Sequence, residues 1–401
     1  MGWFFSYALI AALPLFGMYY FNTKQVLNAA EHLWKWDRKK VRRWFVLVSV
    51  YCNLLPLVAL FTFWIGGRQA TQALAGENRL LDYFIVYPFW FSLVITAQTF
   101  FLFMFWKLSK SLVRLAMGSK TIAWHTFEPK VAIAIFLFGL SYTFFAIVTN
   151  TWTIRINERS VKLPEEFSKL DGVTLVQISD VQGDGRTTSD DIRKLVEKAN
   201  SYDPDIILFG GDVVTSGSKY IESTVNVLSE LKPKYSKIAA IGDHDMFSGK
   251  QPIVQGMLRA GFEVLEDSSI ILIINDTPVI VTGLVYTYRQ RPNEDEILYT
   301  LNNNNGSYKI LLVHQPREFL VEYAKNRGYH LFTAGHTHGG AIAFGIPGMF
   351  LVAPSRFETK YFTGFYEVGE MLVSVNNGLG HTLTPIRFQA PVEITVIRLL
   401  K

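Results

Sequence analysis

Gly335-His336-Thr337-His338-Gly339-Gly340 follows directly on the run from Tyr329 to Ala334. A strand ending at Ala334 would carry both imidazoles to the rim of a sheet, on a loop that the flanking glycines leave unhindered. Neutral imidazole is the commonest metal-ligand side chain, but a lone His-x-His pair is weak evidence. Its company upstream decides the matter. Asp180, Asp212, the tetrapeptide Gly242-Asp243-His244-Asp245 and His314 each follow an apolar run of strand-like length, and four of the eight histidines fall in these motifs. Such convergence implies a metal site.

The same stretches set the fold. Val173 to Ser179 reads as a strand ending at Asp180, and Ser189 is placed to cap an amphipathic helix running to Asn200. Asp205 to Phe209 is a second strand, a helix near 218–231 follows, and Lys237 to Ile241 is a third strand. Lys309 to Val313 and Leu331 to Ala334 add two more. Strands alternating with helices imply parallel βαβ units, in which ligands sit beyond the carboxyl ends of the strands. All five motifs fall at such ends.

Residues 1–150 are of a different kind. They carry 14 Lys+Arg against 5 Asp+Glu, whereas residues 151–401 carry 25 against 29. The basic pI of about 9.0 therefore belongs to the first part, and nucleic acid is not an expected partner. Four uninterrupted apolar stretches, 3–21, 44–65, 83–106 and 131–149, are each about the ~20 residues that cross a ~30 Å hydrocarbon core. Trp3, Trp44, Trp64, Trp106 and Trp152 lie where rings favour the lipid–water boundary. The stretches hold no Lys, Arg, Asp, Glu or His, so they read as an anchor more than as an ion path. Of the 14 basic residues, 12 (Lys120 among them) fall in the loops 22–43 and 107–130. Those loops are expected on the cytoplasmic side. A multi-pass protein of a bacterial inner membrane, with residues 151–401 on the extracytoplasmic side, is the resulting expectation. The first stretch lacks a basic n-region and a small-residue cleavage site, so it reads as retained. The single cysteine, Cys52, excludes an intramolecular disulfide and a thiolate metal site.

Carboxylates and imidazoles together suit two divalent ions, Mn, Zn or Fe with Mg as an alternative. Two such ions can share a carboxylate, lower the pKa of a bridging water and clamp the oxygens of an in-line displacement at phosphorus. The motif order resembles the calcineurin-like metallophosphoesterase superfamily, over roughly residues 170 to 400. The closing stretch, with Pro354-Ser355-Arg356, Gly378-Leu379-Gly380 and Pro385-Ile386-Arg387-Phe388, looks like the YkuE/YaeI-type membrane-associated phosphoesterases. The resemblance implies an α/β sandwich of two β-sheets flanked by helices over 151–401, behind a four-helix transmembrane region over 1–150.

It also implies roles. One ion would be held by Asp180, Asp212 and His338, and the second by Asp212, His314 and His336, with Asp212 bridging. His244 would serve the leaving oxygen. Three positions depart from the pattern. Gln182 stands where a histidine ligand is usual, and its amide oxygen is a weaker, harder donor; Asp184 either takes its place or is a solvated turn acid. Asp243 replaces an asparagine and adds negative charge to the second ion's shell. Thr215 stands where an acid commonly orients the catalytic histidine, a role that Asp245 is expected to take. Arg186 is a candidate for substrate phosphate.

The expected function is hydrolysis of a phosphomonoester, phosphodiester or pyrophosphate bond by a metal-bridging hydroxide. Four helices exceed what anchoring needs, so a phosphorylated lipid or lipid-linked glycan is the expected substrate. The alternatives are a soluble, nucleotide-like phosphodiester, or a non-catalytic receptor or scaffold with a degenerate domain.

Overall fold

The computed structural model describes residues 2–73, 78–117, 124–302, 306–346, 350–381 and 384–401; Lys120 lies outside them. The chain forms two compact units, Met1–Val148 and Thr149–Lys401.

Among the described residues of the first part, three helices are long and apolar enough to cross a membrane: Arg38–Gly67, Arg79–Ala116 and Thr126–Trp152. This corrects the expected four. The stretch 3–21 belongs to a 33-residue helix, Gly2–Trp34, of which the side chains before Pro14 lie outside the described set. Trp44, Leu47, Phe61 and Trp64 are exposed, an arrangement that suits an apolar solvent rather than water. Between helices, polar groups pair. Asn22 donates to the Thr96 carbonyl and to the Thr99 hydroxyl, each at 2.8 Å, as buried polar groups in lipid must.

The second unit is built on strands. β1 (Arg155–Lys162), β2 (Thr174–Ile178), β3 (Ile206–Phe209), β4 (Ser236–Ala239) and β5 (Phe262–Val264) come first. Then follow β6 (Ser268–Ile274), β7 (Thr277–Leu284), β8 (Tyr308–Val313) and β9 (Leu331–Ala334). The remainder are β10 (Phe344–Ile346), β11 (Phe350–Val352), β12 (Gly364–Val368), β13 (Met371–Val375) and β14 (Glu393–Leu400). One six-stranded sheet has the order β1-β14-β2-β3-β4-β5 and the other β12-β13-β9-β8-β7-β6, with β10-β11 a separate hairpin. The βαβ strands pair in parallel, β2 through β5 in one sheet and β7, β8, β9 and β13 in the other, while β14 meets β2 antiparallel.

Side-chain alternation makes the sandwich. Leu175, Leu208 and Ile238 turn inward to meet Val281, Ile310, Leu312 and Leu331 of the facing sheet. Their neighbours Val176, Ile207 and Phe209 turn outward onto Ile192, Leu195, Val225 and Met257 of the covering helices. On the far face Leu311, Val313 and Phe332 pack on Leu320, Val321 and Ala324. Strands apolar on both faces are what parallel pairing between helix layers demands. The helix Ser189–Asn200 is capped by Thr188, one residue before the expected Ser189: its N–H and hydroxyl both reach the Asp191 carboxylate, at 3.2 and 2.7 Å.

The sheets are also joined by polar contacts just below the strand ends. Gln177 on β2 donates to the Ala334 carbonyl at 2.8 Å and accepts from the Ser374 hydroxyl at 2.6 Å. Glu393, the buried first residue of β14, accepts the Asn377 N–H at 3.1 Å. Burial pushes its carboxyl up to about 7, against the pull of that N–H, of Asn157 and of the Arg387 and Arg155 charges. A carboxyl whose folded pKa lies above its unfolded value stabilises the fold fully below the unfolded pKa, and that contribution is gone once pH passes the folded pKa. The melting temperature of the detergent-solubilised chain should therefore fall between pH 5 and pH 8. Glu393→Gln should shrink the fall by the equivalent of about 3 kcal/mol. An equal fall in both proteins refutes this assignment.

Candidate metal centre

The parallel register brings the carboxyl ends of β2 and β3 level, Ile178 opposite Phe209, and the loops beyond stay zipped. Asp180 N–H donates to the Gly211 carbonyl at 2.9 Å, Gln182 N–H to Asp212 at 3.0 Å and Gly183 N–H to Val213 at 2.9 Å. Asp180, Gln182, Asp212, His336 and His338 all sit at positive φ, between 47° and 72°. Non-glycine residues rarely adopt that region, and they hold it where surrounding structure over-determines them. The strained turns re-aim these side chains inward. At Gly335 the chain passes so close that a Cβ would lie 1.7 Å from the Ser179 hydroxyl and 2.2 Å from an Asp180 oxygen.

Two overlapping groups result, Asp180 with Asp212 and His314, and Asp243 with His314 and His336. His336 Nδ1 lies 3.0 Å from Asp243, and His314 Nε2 lies 3.4 Å from Asp212 and 3.5 Å from Asp243. His338 Nε2 is 3.5 Å from Asp180. Asp180 Oδ1 and His314 Nε2 are buried with no hydrogen-bond partner among the described residues. Such orphaned groups are costly unless something else satisfies them. His314 is oriented to meet a cation, because its Nδ1 donates to the Gly210 carbonyl at 2.7 Å, which leaves the Nε2 lone pair facing the carboxylates. Asp180, Asp212, Asp243, His314 and His336 thus fit divalent cations, and they are the residues that would hold them.

Electrostatics agree. Burial opposes a proton on His314, yet Asp212 and Asp243 outweigh it and lift its pKa well above the usual histidine value. Burial would raise Asp243, but the neighbouring His314 and His336 imidazoles hold it below the carboxylate range. The site attracts positive charge.

Other expectations need correction. Asp245 does not orient His244. Its carboxylate accepts the N–H groups of Asp212 at 2.9 Å, Val213 at 2.8 Å and Gly242 at 2.8 Å. His244 is instead held by the Thr215 carbonyl, 2.5 Å from Nδ1, while its own N–H donates to Asp212 at 2.7 Å. Asp184 is not a substitute ligand for Gln182. It accepts from the Arg186 and Thr187 N–H groups at 2.7 and 2.8 Å and from the Thr215 hydroxyl at 2.8 Å. Arg186, in the same turn, exerts its charge on His381. Gln182 is at the centre, its Nε2 3.3 Å from both Asp212 and His338.

Four participants escaped the sequence reading. Gln315 donates to Asp243 at 2.7 Å and the Tyr288 N–H does so at 2.6 Å. Glu358 takes the Tyr288 hydroxyl at 2.6 Å and lies 3.2 Å from His336 Nε2. Arg387, buried behind His338, is the fourth. Gln315 directly follows a motif histidine, and Arg387 lies in a quoted motif that carried no role; Tyr288 and Glu358 offer no local signal.

A two-sheet sandwich with carboxylates and imidazoles gathered at its strand ends is the arrangement of a metal-dependent phosphate-ester hydrolase. Residues 173–340 match the family model for calcineurin-like phosphoesterases, and the chain carries that domain. Metallophosphoesterase YkuE of Bacillus subtilis is 29% identical over 255 residues, which are 61% of this chain and 85% of that one. A transmembrane protein with metallophosphoesterase domain from Danio rerio is 26% identical over 350 residues, 81% of this chain and 78% of that one. Among solved structures, a 5'-nucleotidase precursor of Thermus thermophilus aligns at a TM-score of 0.37 and 15% identity, over 52% of this chain and 49% of that one.

Asp245→Ala should leave three buried N–H groups without an acceptor, at about 1 kcal/mol or more each. A fall of roughly 6–12 °C in melting temperature is expected for a domain of this size. A fall under about 2 °C in calorimetry contradicts the role given to Asp245.

Proposed function

We propose that this chain is a membrane-anchored phosphohydrolase acting on a phosphorylated lipid or lipid-linked glycan, with its catalytic domain on the extracytoplasmic side. The observation that carries the chemistry is the pair of orphaned buried atoms, Asp180 Oδ1 and His314 Nε2, set among carboxylates that the fold holds by strained backbone. The lipid is supported by three helices on the same chain that are long and apolar enough to span a membrane, where one would anchor it. The side is supported by the basic loops, since cytoplasmic loops carry the excess of Lys and Arg.

A bound divalent pair would supply a low-pKa water and screen the phosphoryl charge. The chain's own residues do the positioning. Asp212 touches His244 through one carboxylate oxygen and faces His314 through the other. His244 is partly exposed, and with Nδ1 engaged by Thr215 its Nε2 is the atom left to meet a leaving oxygen. Thr215 is itself fixed, because its hydroxyl bonds Asp184 at 2.8 Å and the Gln182 carbonyl at 3.0 Å. Asp184 therefore steadies the catalytic histidine at one remove.

The purified full chain, supplied with Mn, Zn or Mg, should hydrolyse mono- or bis-p-nitrophenyl phosphate. Asp212→Ala should lower the rate by about a thousandfold or more, several kcal/mol of lost transition-state stabilisation. Equal rates for the two proteins would sink the enzyme reading. Lipid extracts of cells with and without the gene, compared by mass spectrometry, test the substrate class. One phosphate-bearing lipid should change in abundance, and unchanged lipids beside altered soluble phosphodiesters would favour the nucleotide-like alternative.

A further inference from the structure

Among the described residues Arg387 is the largest fully buried side chain, at 1% exposure. Its guanidinium donates to the carbonyls of His338 at 2.6 Å, Asn377 at 3.0 Å and Gly380 at 2.6 Å, and it stands 2.9 Å from His338 Nδ1. A guanidinium has donors and no acceptor. A proton on Nδ1 would therefore point at guanidinium hydrogens, so Nδ1 must be the bare, accepting nitrogen. The neutral ring then carries its proton on Nε2, the atom facing Asp180 and Gln182. An N–H there offers no lone pair to a cation. This is the reverse of His314, whose Nδ1 donates to a carbonyl and whose Nε2 is left bare.

Gln182 fits the same arrangement. A half-turn of its amide, which exchanges Oε1 and Nε2 at these positions, lets Oε1 accept from His338 Nε2–H and face a cation beside Asp180 and Asp212. His314 has one lone pair to give, and it lies between Asp212 and Asp243.

We propose that the two cation positions are unequal by construction. Asp212, Asp243, His314 and His336 form a tight site with two nitrogen donors, whereas Asp180, Asp212 and the Gln182 amide oxygen form an all-oxygen site, with His338 a hydrogen-bond donor instead of a ligand. This rests on reading the centre as that of a metallophosphoesterase. The tight site suits Zn, Fe or Mn; the all-oxygen site suits Mg or Mn and exchanges freely.

The full chain in detergent, stripped with chelator, loaded with Mn and desalted, should retain one equivalent by elemental analysis. A second equivalent should enter, in titration followed by Mn paramagnetic resonance, with affinity weaker by about 10–100-fold or more. Gln182→His should raise the retained count to two. Arg387→Met, which lets Nδ1 carry the proton and returns Nε2 to the cation, should do the same; should that variant fail to fold, Gln182→His carries the test. His336→Ala should lose the retained ion at little cost in melting temperature. Two equivalents retained by the parent protein, or a count unmoved by Gln182→His, overturns the proposal and leaves the phosphoesterase reading intact. Loss of both metal binding and hydrolysis would overturn the two together.

Discussion

Asp180, Asp212 and Asp243 share one buried patch at the strand ends, at 0%, 2% and 2% exposure, and that concentration of negative charge is what the surrounding structure answers to. Two unit charges 4 Å apart in protein surroundings interact by about 4 kcal/mol. Such carboxylates stay charged together only if positive charge lies among them. His314 and His336, each within 3.5 Å of Asp243, frame the place where a cation would supply it. The backbone is committed to the same end. Five residues of the centre hold positive φ, and Asp245 uses its whole carboxylate to fix the turns that carry Asp212 and Asp243. The strain and the crowded charge explain one another: regular strand geometry would point these side chains alternately to opposite faces.

Much of this was legible in the chain. Each strand-end motif follows an apolar run, and the runs are apolar because parallel strands between helices are buried on both sides. β9 begins and ends where its residues predict, at Leu331 and Ala334. Elements at the sheet edges were not legible. β6 and β12 pair antiparallel with their neighbours, and β14 returns from the far end of the chain to lie between β1 and β2. No local period records such a return. The membrane part shows the same limit, since hydrophobic length predicts apolar helices but not how many of them pass as spans.

Which side chains gather at the strand ends was legible, and how each is held was not. Asp180, Asp212, Asp243, His314 and His336 announce themselves by residue type and position. What Asp184, Asp245 and Thr215 do depends on which backbone groups lie beside them, and those come from loops about 30 residues away. Asp245 adjoins His244 in sequence, which suggested an orienting carboxylate. The helix Asp243–Ser248 instead turns it back onto the Gly242 N–H at its own start. His338 is the sharper case: its place in the motif says nothing of the partner of its other nitrogen, and that partner is 49 residues further along.

Arg387 also bears on how much cation the centre can hold. Its charge is so poorly solvated that burial lowers its pKa to about 10, with Asp180 and Glu393 pulling the other way, and carbonyls rather than carboxylates take its hydrogen bonds. A fixed positive charge behind His338, close enough for Asp180 to act on it, opposes a cation held beside Asp180 and His338. In the proposed arrangement the residue that denies a nitrogen donor to the Asp180 side also sets a fixed positive charge behind it, so both effects would weaken the same cation position.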